Sequence, residues 1–184
     1  MSYKAHKNLI LQTARQSIGY ALEHHRPAKQ DHKNIPPELL ENGACFVTLE
    51  INHQLRGCIG SLQARQALID DISQNAYAAA FSDPRFPELD PAEFDQLDIH
   101  VSILTPAREI RFTDEQDLIA QIKPGIDGLI LEDKGRRGTF LPSVWESLPR
   151  VEEFLRHLKQ KAGLPESHWS ETIKVSRYHT EMIK

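Results

Sequence analysis

Residues 44–62 read Ala44-Cys45-Phe46-Val47-Thr48-Leu49-Glu50-Ile51-Asn52-His53-Gln54-Leu55-Arg56-Gly57-Cys58-Ile59-Gly60-Ser61-Leu62. Cys45, Val47, Leu49 and Ile51 alternate with Phe46, Thr48 and Glu50, the period of a half-buried strand. A second arm runs from Leu55 to Leu62, and the two arms read as a β-hairpin. Register follows from keeping like faces together. A three-residue loop, Asn52-His53-Gln54, pairs Ile51 with Leu55 and Val47 with Ile59 on the core face. It sets Glu50 across from Arg56 and Thr48 across from Cys58 on the other face. A two-residue loop opposes Leu49 with Arg56 and Glu50 with Leu55, a poor pattern, so the longer loop is expected.

Helices flank this hairpin. Leu9, Ile10, Leu11, Ala14, Ile18, Ala21 and Leu22 keep a helical spacing that should stop before Pro27. Residues 26–37 are polar and proline-marked, an exposed loop. Arg65 to Phe81 reads as a second helix whose alanines suggest close packing on a sheet, ended by the stiff Ser82-Asp83-Pro84-Arg85-Phe86-Pro87 loop. A helical turn near Ala92 to Gln96 precedes a strand from Leu97 to Leu104. The second half rehearses the first. It offers a capped helix over Asp114 to Ile122 and strands at Ile126–Glu132 and Thr139–Leu141 around a six-residue turn, 133–138. A helix starts at Pro142, an amphipathic one covers Arg150 to Ala162, and a last strand spans Ile173 to Met182. Antiparallel strands mixed with helices give an α+β class.

The chain has 184 residues, and one domain over 1–184 is expected, with two lobes near 1–110 and 111–184. A chain this long buries enough surface to need no disulfide staples. Lys and Arg number 22 against 26 Asp and Glu, a formal net charge of −4, which disfavours a broad nucleic-acid or anionic-membrane binder. No apolar run approaches the roughly 20 residues of a membrane span. Met1 to Lys7 leads into an amphipathic stretch, and there are 2 cysteines, so a reducing cytoplasm is the expected location. The 9 histidines show no H-x-x-x-H spacing and there is no C-x-x-C, so neither a metal site nor a cofactor is expected.

The segment that invites chemistry is Leu55-Arg56-Gly57-Cys58-Ile59-Gly60. Glycines in a strand mark a bulge or the close approach of a ligand or another backbone. Cys58, between Gly57 and Gly60 and sharing a face with Arg56, has the ingredients of a reactive thiol, because a guanidinium favours the nucleophilic thiolate. The plain alternative is a small buried residue where a helix packs tightly. Cys45, in phase with Val47 and Leu49, reads as core. His100 shares a strand face with Asp98 and Ser102 and could serve Cys58 as a base if the faces meet. Asp83 and Arg85 form either an anion clamp or a structural pair ending the helix. Lys134-Gly135-Arg136-Arg137 reads as a solvated hairpin tip.

The Phe46-Val47-Thr48-Leu49 and Leu55–Gly60 segments together resemble the signature of the AMMECR protein family, whose prokaryotic branch is called AmmeMemoRadiSam system protein A. The resemblance extends through Asp83-Pro84-Arg85-Phe86, Val101-Ser102-Ile103-Leu104-Thr105, Gly125 with Gly128, Leu141-Pro142 and Lys161-Ala162-Gly163, nearly the whole chain. It implies two related β-α halves around a barrel-like or strongly curved sheet. It also implies association with a Memo-type protein, similar to extradiol dioxygenases, and a radical S-adenosylmethionine enzyme in one modification pathway. Mapped here, the motif residues are Arg56, Gly57, Cys58 and Gly60, with Arg85 and Ser102 from other blocks. Two functions stay open. One is a thiol enzyme in which Cys58 acts while Arg56 and Arg85 hold an acidic or carbonyl group. The other is a binding module for a small molecule or peptide, without chemistry of its own.

Overall fold

The computed structural model describes residues 2–184. In chain order it contains α1 (Lys7–His24), α2 (Pro37–Leu40), β1 (Asn42–Gly43), β2 (Cys45–Ile51), β3 (Gln54–Gly60), β4 (Gln66–Ala67), α3 (Leu68–Phe81) and β5 (Asp98–Leu104). These are followed by β6 (Arg108–Glu109), α4 (Glu115–Gln121), β7 (Gly128–Asp133), β8 (Arg136–Phe140), α5 (Val151–Lys161), β9 (Lys174–Tyr178) and β10 (Thr180–Ile183). Two compact units result: the chain up to Leu104 with Glu181–Lys184, and Thr105–Thr180. Among the described residues no helix is long and apolar enough to cross a membrane.

In the first unit the strand order is β10-β5-β2-β3, and in the second it is β6-β9-β7-β8. Each unit therefore runs helix, hairpin, helix, strand, and the late strand returns to pair with the first arm of the hairpin. That is the repetition expected from sequence, in an α+β fold with antiparallel pairing. Of the barrel-like or strongly curved sheet implied by the resemblance, a closed barrel is not formed, because the strands make separate open sheets.

Helix α1 buries Ile10, Ala14, Ile18 and Ala21, a stripe one face wide. It ends at His25, whose left-handed backbone (φ 52°) turns its amide back to the Ala21 carbonyl. Helix α3 starts at Leu68, because Gln66 and Ala67 first pair with Asn42 and Gly43. Leu68, Ile69, Ile72, Ala76 and Ala79 meet Val47, Leu49, Ile99, Val101 and Ile103 from the inner face of the sheet. The small alanines let helix and sheet approach closely. Asp71, nearly buried, accepts from the Cys45 amide at 2.9 Å, Ser61 Oγ at 2.6 Å and Asn75 Nδ2 at 2.9 Å, tying the hairpin to the helix. Beside it the Cys45 thiol is fully buried, and burial, with Asp71 next in weight, pushes its pKa well up.

The hairpin reconciles both loop lengths. Val47 faces Ile59 and Thr48 faces Cys58, the pairing expected for a three-residue loop. The turn nevertheless has two residues, Asn52 (φ 52°) and His53 (φ 61°), with Ile51 opposite Gln54 and Glu50 opposite Leu55. A bulge absorbs the difference: the register shifts past Leu49–Gly57 and leaves Arg56 unpaired. Leu55, expected in the core opposite Ile51, is thereby exposed, and Arg56 does not face Glu50.

The second unit packs Leu129, Leu131, Val175, Phe154, Leu155 and Leu158 into its own core, with Trp145 stacked on Phe154 at 3.7 Å between ring centroids. Its hairpin turns on Lys134 (φ 49°) and Gly135 (φ 76°), so the expected six-residue turn shrinks to two and Asp133 pairs with Arg136. The strand expected over Ile173–Met182 is two strands, β9 and β10, which serve different sheets.

Glycine recurs at one place in both units. Gly57 lies opposite Leu49, and a β-carbon there would drive into the Ala79 carbonyl of α3. Gly138 lies opposite Leu131, and a β-carbon there would stand 2.8 Å from the Ala162 amide nitrogen and 2.9 Å from the Leu158 carbonyl of α5.

Two stability outcomes are expected in urea unfolding. His53→Gly removes a side chain from a left-handed turn position and should stabilise by about 1 kcal/mol. Gly57→Ala forces α3 off the sheet and should destabilise by about 3 kcal/mol, whereas a change within 0.5 kcal/mol would contradict the close contact.

Candidate functional site

Strand β3 is an edge strand, so its outward amides and carbonyls need partners other than a neighbouring strand. Asp83 and Arg85, from the loop after α3, supply them at Cys58. Asp83 Oδ2 accepts from the Cys58 amide at 2.8 Å, and Arg85 Nη2 donates to the Cys58 carbonyl at 3.3 Å. The pair reproduces the acceptor and donor that a further strand would offer. Arg85 also grips Asp83 through Nε at 2.9 Å and Nη2 at 2.7 Å. These bonds from Arg85, opposed by desolvation and reinforced by the Cys58 and Arg85 amides, hold the Asp83 carboxyl well below the usual carboxylate range. Asp83 is 2% exposed at its side chain and Arg85 is 54% exposed, so one end of the guanidinium is open to solvent.

The bulge turns Arg56 to a different partner. Its Nε donates to Glu93 Oε1 at 2.8 Å and its Nη2 to Glu93 Oε2 at 2.9 Å, with a further bond to the Glu88 carbonyl at 3.3 Å. Glu93 in turn accepts from the Asp90 amide at 2.9 Å, closing a capping box. The Arg56 bonds lower the Glu93 pKa and raise that of Arg56. Phe86 lies under both guanidiniums, 5.9 Å from Arg56 and 5.5 Å from Arg85.

Cys58 itself is half-buried on the outer face of the sheet. Its Sγ shares a hydrogen bond with Thr48 Oγ1 at 3.3 Å. Thr48 is flanked by Cys58 on β3 and by His100 on β5, so the three make one row across adjacent strands. Two strand spacings, about 10 Å, separate Cys58 from His100. Among the described residues His100 makes no hydrogen bond to Cys58, and Thr48 occupies the place a base would need. A second row carries Gly60, Phe46 and Ser102. A β-carbon on Gly60 would strike the Phe46 ring and come within 2.6 Å of the Cys45 carbonyl, so the ring takes the space. Ser102 thus belongs to the same face but not to the Arg56–Asp83–Arg85 cluster. Among the described residues no group of three His, Cys, Asp or Glu side chains is gathered as a metal ion would require.

The AMMECR1 family model matches residues 11–183. The chain belongs to the AMMECR1 family. It is 40% identical over 155 residues to a Thermotoga maritima protein, covering 83% of this chain and 84% of that one. It is 38% identical over 160 residues to protein MJ0810 of Methanocaldococcus jannaschii, covering 83% and 78%. The crystal structure of uncharacterized protein PH0010 from Pyrococcus horikoshii superposes with a TM-score of 0.86 at 35% identity, covering 95% of this chain and 88% of that one. These names carry no activity, and the chemistry of this AMMECR1-family site rests with its own residues.

The internal repeat gives Cys58 a counterpart in the second unit. Arg56-Gly57-Cys58 in β3 corresponds to Arg137-Gly138-Thr139 in β8, because Gly57 and Gly138 hold the same place opposite Leu49 and Leu131. Cys58 therefore stands where the other half of this AMMECR1-family chain carries a threonine, whose hydroxyl donates to the Leu129 carbonyl at 2.8 Å. Arg137 keeps the cross-strand partner that Arg56 loses, with Nε 3.3 Å from Glu132 Oε1. Sequence reasoning set Thr48 across from Cys58 without giving it a role, quoted Phe86 only as part of a motif, and missed Glu93. The Asp90-Pro91-Ala92-Glu93 capping pattern was the available signal for Glu93.

The Asp83 pair sets a pH dependence with a defined sign. Its folded-state pKa is depressed, so its contribution is complete above the ordinary aspartate value near 4 and is lost as pH falls below it. The stability gap between the unchanged protein and Asp83→Asn, from urea unfolding, should be widest at neutral pH and should narrow progressively below about pH 4. A gap independent of pH would contradict the ionised pair.

Proposed function

We propose that the Cys58 face is a ligand-binding site and that the chain acts as a non-catalytic binding component of a modification pathway. Its partners in that pathway are the Memo-type protein and the radical S-adenosylmethionine enzyme, in a reducing intracellular compartment. The observation that carries this reading is the bidentate bond of Arg56 to Glu93, at 2.8 and 2.9 Å. A guanidinium neutralised by its own carboxylate does not serve to activate a neighbouring thiol. The remaining supports of a catalytic reading fall in the same direction. Gly57 and Gly60 are occupied by packing, and His100 stands beyond Thr48. Thr139 in the equivalent position of the second unit supports a packing and hydrogen-bonding role for Cys58.

What the site offers a ligand is a half-buried thiol and hydroxyl beside the open end of Arg85. That arrangement suits an acidic group on a small molecule or on a peptide segment of a partner. Calorimetric titration with each partner protein at micromolar concentration tests it. Cys58→Ala should bind within about twofold of the unchanged chain and Arg85→Ala about tenfold more weakly, the loss of one charge-assisted contact. Circular dichroism on both variants separates lost binding from lost folding. No association of the unchanged chain with either partner, or abolished function in a Cys58→Ala variant that still binds, would overturn the reading. The second outcome would restore the thiol enzyme.

A further inference from the structure

Strand β6 contributes two residues at the edge of the second sheet, and antiparallel pairing sets Arg108 directly opposite Arg177 of β9. Side chains so placed are close neighbours, and like charges there repel. Glu109 gives no relief, because strand alternation sends it to the opposite face, where its partner is Ser176. Relief comes in part from Asp127, whose carboxylate is fully buried. Its Oδ2 lies 3.3 Å from Arg177 Nη1 and accepts from the Lys123 amide at 2.9 Å, while its Oδ1 lies 3.0 Å from His179 Nε2. Trp145 Nε1 donates to the Asp127 carbonyl at 2.8 Å and fixes the turn that carries it. Both Asp127 oxygens are thus committed, and Asp127 positions Arg177 and His179 without facing a ligand itself.

Among the described residues, two guanidiniums face one ion-paired carboxylate at this place. Among the described residues the Arg108 guanidinium has no hydrogen-bond or ion-pair partner, and Arg177 donates from Nη1 alone. These groups border a pocket of about 260 Å³ lined by Thr105, Pro106, Arg108, Arg177, Tyr178 and His179. Thr105, Arg108 and His179 are exposed, so the pocket is reachable from solvent. It is smaller than the usual range for drug-sized ligands, and it suits a single compact group. Two planar guanidiniums lining one pocket match the oxygens of a phosphate or a carboxylate.

We propose that this pocket is an oxyanion-binding site, holding a phosphate or carboxylate group of a small ligand between Arg108 and Arg177 with His179 at its rim. The bound oxyanion removes the repulsion that the strand pairing imposes. The site lies within the second unit and does not involve Cys58. Amide and His179 ring shifts of the full-length, isotope-labelled chain are followed by NMR during titration with inorganic phosphate, acetate and chloride at matched ionic strength. Saturable shifts at Ser176–His179 with phosphate or with acetate, and not with chloride, are expected, and the tighter of the two identifies the ligand class. Arg108→Ala and Arg108→Gln should each weaken that binding about tenfold, and replacing an exposed arginine elsewhere, Arg65→Ala, should leave it unchanged. Equal responses to all three anions, or undiminished affinity in both Arg108 variants, would overturn the proposal.

Discussion

The Ala79 carbonyl of α3 occupies the space where a side chain on residue 57 would begin, and much of the first unit follows from that contact. With no β-carbon at Gly57, α3 settles onto β2 and β3, and Ile72, Ala76 and Ala79 reach Val47 and Leu49. Close approach is worth more here than it costs, because each fully buried aliphatic side chain contributes roughly 1.5–3 kcal/mol while a strand glycine loses about 1. The helix then ends where the Asp83–Arg85 loop can fold back onto the edge of β3. The second unit solves the same problem with Gly138 under α5. A glycine that reads as room for a ligand is, in both halves, room for a helix.

Periodicity made most of the fold legible. Val47, Leu49, Ile99, Val101 and Ile103 alternate with polar residues because one face of their sheet is dry, and α1 and α3 carry the stripes that cover it. What remained hidden was local and had physical causes. The bulge at Arg56 lets a two-residue turn coexist with the pairing of a three-residue one, so counting residues between like faces gave the correct strand register and the wrong loop. The β7–β8 turn was obscured because Arg136 and Arg137 stand on a hairpin end in water, where strands have no apolar alternation to display. The break near His179 was invisible because β9 and β10 are both good strand sequence, and only their partners differ.

The candidate site was legible in its members more than in their connections. Arg56, Cys58, Asp83 and Arg85 do converge, at one edge of one strand. Their pairing could not be read from spacing, since Glu93 meets Arg56 across 37 residues and only because the bulge redirects the guanidinium. Ser102 and His100 share the face of Cys58 by strand alternation, yet each is separated from β3 by a residue of β2, Phe46 or Thr48. Alternation predicts faces and says nothing of which strand lies between.

Charge adds the last constraint. A net charge of −4 spread over 184 residues disfavours binding to long polyanions, but electrostatics inside a pocket depend on what lies within a few ångströms. At the edge of β3 both arginines are matched by carboxylates, Arg56 keeps a buried Nη1 without a hydrogen-bond partner among the described residues, and the outer end of Arg85 is open to solvent. Where β6 pairs with β9, two arginines stand opposite each other and one carboxylate, Asp127, pairs with Arg177. In an acidic chain, strand pairing at β3 and at β6, each the last strand of its sheet, and not overall composition, decides which positive groups face a ligand.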